Sequence, residues 1–173
     1  EYAAALVAGD ALRFENPSSV GYFLGGFGFR ITDSTPSAAV IFCEGRRALD
    51  DTANWQLRIK TTGEVEILDS LGVVQATSAA AAFLDNTWHY CEVFSFASST
   101  VGEVVLYVDG VSSVEAVNID TLNTAGVTRF VLTISASTAT GYFDDIYDYT
   151  SSSAMSIADR LTPSTVTAHQ PGN

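Results

Sequence analysis

Residues 102–118 read GEVVLYVDGVSSVEAVN. Two runs rich in β-branched residues flank Asp109-Gly110. A tight two-residue hairpin turn needs positive φ at both central positions, which Asp tolerates and Gly adopts freely. The spacing therefore predicts two antiparallel strands over 102–110 and 111–118. Similar runs lie on both sides of this hairpin, at 11–15, 20–31, 38–44, 54–60, 64–68, 72–78 and 87–96, then at 126–135 and 140–149. Each alternates or stays continuously apolar over a strand's length. Thr62-Gly63 and Asp69-Ser70-Leu71-Gly72 supply further turns.

About eleven strands and no long amphipathic stretch predict an all-β fold, a two-sheet antiparallel β-sandwich over residues 1–149. Short helices are expected only at Ala79–Leu84 and Ser153–Arg160. Gly25, Gly26 and Gly28 interrupt a strand pattern, which points to a bend, a bulge or a close backbone approach. Residues 150–173 are polar and hold two of the four prolines. They read as a C-terminal tail that packs on the domain or on a neighbouring subunit.

The 173-residue chain is large enough to bury a core without staples. Hydrophobic residues make up 47% and charged residues only 16%. Ser, Thr and Ala take the surface positions that Lys and Glu usually hold, a composition suited to life inside an assembly. Twenty acidic residues against eight basic ones give a net charge of −12. Nucleic-acid binding needs clustered cations, so it is excluded as a function class, and anionic membrane surfaces would repel the chain. No apolar run reaches the roughly 18 residues of a membrane helix, so no membrane insertion is expected. The opening EYAAALVAGD lacks the basic start of an intact signal peptide. Cys43 and Cys91 sit in apolar strand-like runs and read as buried thiols or, in an oxidising compartment, as a disulfide.

Four phrases, in order, carry a likeness to a known group: NWQLRIKTTGEVEILDSLGVV from Asn54, LDNTWHYCEVFSF from Leu84, GEVVLYVDGV from Gly102 and GYFDDIYDY from Gly141. Together they resemble laminin-G-like domains of the concanavalin A-like lectin/glucanase jelly-roll group. In that pattern Trp88 leads a strand and reads as a core anchor. A narrower resemblance is to virion structural proteins of tailed bacteriophages. It rests on Ala11-Leu12-Arg13-Phe14, Asp120-Thr121, Phe143-Asp144-Asp145-Ile146-Tyr147 and Leu161-Thr162-Pro163.

The resemblance implies a non-enzymatic protein on a virion exterior, decorating a capsid or building a tail or fibre. Its partners would be other virion proteins, copies of itself and host-surface glycans. The alternative it implies is an extracellular, calcium-dependent glycan-binding module of an adhesin or receptor-binding protein. Calcium would then use Asp144, the acid of the late strand. Glycans would stack on exposed aromatics, for which Tyr22, Trp55, Tyr142 and Tyr147 are the candidates.

Catalytic patterns are missing. Glucanases of this fold carry acids as Glu-x-Asp-x-x-Glu, alternating on one strand face. Glu64, Glu66 and Asp69 come nearest, but Asp69 has the wrong parity. The two histidines, His89 and His169, accompany no nucleophile elbow and no zinc motif. No catalytic residue and no cofactor other than calcium is expected.

Overall fold

A computed structural model describes residues 3–47, 49–121, 127–135 and 138–151. Twelve strands follow one another: β1 (Ala4–Leu6), β2 (Ala11–Val20), β3 (Tyr22–Ile31), β4 (Val40–Arg47), β5 (Thr52–Ile59), β6 (Glu64–Leu68), β7 (Val74–Ala81), β8 (His89–Phe96), β9 (Gly102–Val108), β10 (Val111–Ile119), β11 (Val127–Thr133) and β12 (Gly141–Ser151). They form two six-stranded antiparallel sheets. The first is ordered β1-β12-β3-β8-β9-β10 and the second β2-β11-β4-β5-β6-β7. The predicted sandwich is thus the observed fold, with one strand more than expected. The extra strand, β1, has three residues and pairs only with β12.

The hairpin forms as predicted. Val108 pairs with Val111, and the turn residues Asp109 and Gly110 sit at φ 52° and 82°. The short helix expected at Ala79–Leu84 is absent. Residues up to Ala81 pair with β6, and the Ser78 hydroxyl accepts the Val65 N–H at 3.0 Å. Alanine's helical preference yields there to a ladder that satisfies the backbone. The second expected helix, and all of the C-terminal tail past Ser151, lie outside the described residues. No helix among the described residues is long and apolar enough to cross a membrane.

Inward-facing side chains of both sheets meet in one core. Phe29 is its centre, with ring centroids 5.0–5.1 Å from Phe42, Phe83 and Phe143. Phe27, Trp55, Leu57 and Phe130 extend the same layer. Cys43 and Cys91 are buried free thiols, and burial raises both well above the usual thiol range. The acids of the glucanase-like phrase have structural work. Glu66 accepts two bonds from Arg58, at 2.8 and 2.5 Å. Glu64 is bonded by Thr62. Asp69 closes its turn by accepting the N–H groups of Leu71 and Val73, both at 2.9 Å.

Candidate functional site

Strand alternation decides what the first sheet shows to the outside. Phe27 and Phe29 of β3 enter the core, so Gly26, Gly28 and Arg30 face out. Gly28 pairs with Tyr90 of β8 on one side and Asp144 of β12 on the other. With no side chain at Gly28, a trough opens between those two neighbours. It is the floor of a groove of about 400 Å³ lined by Gly28, Trp88, His89, Tyr90, Asp109, Asp144 and Asp145.

One wall of this groove is aromatic. Trp88 is 43% exposed just before β8 begins. The Arg30 guanidinium lies 5.2 Å from the Trp88 ring centroid and 4.1 Å from that of Tyr142. Trp88, Arg30 and Tyr142 therefore make a cation–π stack that holds the indole in place while leaving much of it open. The other wall is acidic. Register between β12 and β3 slips between Asp144 and Tyr147, and Asp145 takes a positive φ of 47°. This bulge presents two carboxylates in succession. Asp144 accepts the Asp145 N–H through Oδ1.

His89 and Asp109 close the end of the groove. The Leu84 N–H donates to His89 Nε2 at 3.2 Å, which leaves the proton on Nδ1. Nδ1 lies 2.7 Å from Asp109 Oδ2, and Asp109 Oδ1 accepts the Tyr90 N–H at 2.9 Å. Both Asp109 oxygens of the hairpin turn are thus engaged by β8, through His89 and the Tyr90 N–H. Beneath the groove, Tyr147 lies flat over Gly26, where any Cβ would overlap its ring. Its hydroxyl donates to Glu92 Oε1 at 2.9 Å and is 2.8 Å from the Tyr90 hydroxyl. Burial is the first cause that lifts both tyrosines above the usual phenol range. They are neutral hydrogen-bonding posts at every physiological pH.

The structure separates the expected aromatic candidates. Trp55 is 0% exposed and lies against Gly45 in the core, so it has no face to offer a sugar. Trp88, expected as the core anchor, is the exposed one. The physical reason is parity: Trp55 shares its strand face with Leu57 and Ile59, and Trp88 shares its face with Glu92. Tyr142 joins the stack beside the groove. Tyr147 is part-buried beneath it. Tyr22 sits elsewhere on the same sheet, stacked on Phe96 at 4.7 Å in a patch with Leu24, Phe94 and Val105. Asp144 lines the groove. Calcium takes six to eight oxygen ligands. Among the described residues no three His, Cys, Asp or Glu side chains gather as a metal-binding group.

A second cavity, of about 260 Å³, lies on the outer face of the other sheet between Arg13, Glu44, Arg46 and Gln56. Its polar groups largely serve one another. Glu44 accepts from Arg46 Nε at 2.7 Å and from Gln56 at 2.5 Å. It offers no exposed aromatic, so the groove at Trp88 is the better candidate for recognising a ligand.

Two six-stranded antiparallel sheets, closed face to face with a groove on one outer surface, define a two-sheet β-sandwich. No known protein-family profile matches the chain. No curated protein matches it either. Solved structures do match. One is the botulinum neurotoxin serotype D ligand-binding domain in complex with N-acetylneuraminic acid, at TM-score 0.59 and 13% identity over 84% of this chain and 38% of that one. Another is the carbohydrate-binding module CBM66 from Bacillus subtilis, at TM-score 0.54 and 12% identity over 81% and 82%. A third is a cellulose-induced protein, at TM-score 0.58 and 12% identity over 78% and 70%. Identities this low establish the shared fold. The chain spans well under half the length of the toxin domain.

Proposed function

We propose that this chain is a non-enzymatic carbohydrate-binding module that holds its ligand in the groove beside Trp88. The observation that carries this reading is the half-exposed indole, held in place by Arg30 and facing the carboxylates of Asp144 and Asp145 across a glycine floor. A sugar ring has an apolar face that stacks on an indole and hydroxyls that donate to carboxylates. The fold's likeness to a carbohydrate-binding module and to a toxin ligand-binding domain in complex with a sugar supports the same reading. The structural ties of Glu64, Glu66 and Asp69 favour binding over hydrolysis.

The module's place is on the exterior of a tailed-phage virion, among other virion proteins and copies of itself, where it holds host-surface glycans. The sequence phrases at Ala11–Phe14 and Phe143–Tyr147 support that home. Glycan-array binding is expected to be saturable and to survive a chelator. Binding that requires calcium and disappears in Asp144→Ala would instead support the extracellular, calcium-dependent module. Antibody against the chain is expected to label the outside of intact particles. Labelling confined to cell surfaces would remove the virion assignment.

A further inference from the structure

The groove's charge points to the class of its ligand. Among the described residues, three of the seven that line it are aspartates, and His89 is the one basic residue of the lining. That imidazole is engaged on both sides, by the Leu84 N–H and by Asp109. The Arg30 guanidinium is a cation beside the groove, held between the rings of Trp88 and Tyr142. Five of the eight basic residues, Arg46, Arg47, Arg58, Lys60 and Arg129, form ion pairs on or beside the opposite sheet. A carboxylate or sulfate entering the groove would meet the two negative charges of Asp144 and Asp145 against the single positive charge of Arg30 beside Trp88. Hydroxyls and amines would meet two acceptors.

We infer that the groove selects uncharged and amine-bearing saccharides and rejects sialylated, uronic and sulfated ones. The inference rests on the reading of this groove as a sugar site. It sets the chain apart from the structural neighbour whose complex holds N-acetylneuraminic acid. Like charges facing one another across a binding site act as a specificity filter, one that salt screens only in part at short range.

The test is an array of neutral glycans, each printed beside its sialylated or glucuronylated derivative. The wild-type chain is expected to bind the neutral member of a pair at least roughly tenfold more tightly. Asp144→Asn with Asp145→Asn should close most of that gap, since asparagine keeps the shape and removes the charge. Net charge alone would also disfavour acidic glycans, so a second variant controls for it. Glu103→Gln with Glu115→Gln removes the same charge from β9 and β10, away from the groove, and should leave the gap open. Equal or tighter binding of the acidic members would overturn the charge filter while leaving the sugar site standing. A gap closed equally by both variants would also overturn it. Binding of neither member would overturn the sugar site itself.

Discussion

Phe29→Ala is expected to lower the unfolding free energy by about 3–5 kcal/mol, the usual cost of removing a buried aromatic ring. The ring is 0% exposed and meets four other phenylalanines, from β3, β4, β12 and the segment before β8. Those contacts join the two sheets, so the cavity left by alanine lies where the sandwich closes. Rigid strands on both sides limit how far neighbours collapse into it. Domains of this kind are stable by only about 5–15 kcal/mol in total, so the variant should show a much lower urea midpoint with an unchanged slope. A loss below 1 kcal/mol would mean that Phe29 is not the centre of the core.

Trp88→Ala should have the opposite profile. Its stability should change by less than about 1 kcal/mol, because the indole is already half in water and anchors no core contact. Its sugar affinity should fall about thirtyfold or more, the loss of a central aromatic contact worth roughly 2 kcal/mol. Trp88→Tyr should recover part of the binding, since a phenol ring still stacks on a sugar face and on Arg30. Isothermal titration alongside urea melts separates the two effects. A variant that unfolds, or one that binds as wild type, would contradict the role given to this residue.

Much of the fold is legible in the chain because alternation and turn chemistry are local signals. Asp109-Gly110 sets a hairpin by itself, and Asp69 with Gly72 sets another turn. β1 escapes such reading because three residues, Ala4–Leu6, contain too little pattern, and only β12 gives them a partner. The site was half legible. Asp144 and Tyr142 stand in a phrase that draws attention to itself. The two tryptophans take the opposite of their expected roles, because size cannot distinguish one indole from another. In NWQLRIK the indole keeps step with Leu57 and Ile59, which marks a core face, whereas Trp88 keeps step with Tyr90, Glu92, Phe94 and Phe96, where Glu92 is the one polar signal of an outer face. The parts that needed three dimensions are the juxtapositions. Gly28 becomes a groove floor only when Tyr90 and Asp144 arrive from strands about 60 and 115 residues away, and Arg30 becomes a brace only between Trp88 and Tyr142.

The most direct measurement exploits the presence of only two tryptophans. An NMR titration of the indole N–H signals with the best neutral array ligand should move Trp88 saturably. Trp55, closed inside the core, should stay in place and serve as an internal reference. The backbone amide of Gly28 should shift with Trp88 at the same midpoint. Saturable binding that leaves both Trp88 and Gly28 unmoved would locate the ligand elsewhere and contradict the account.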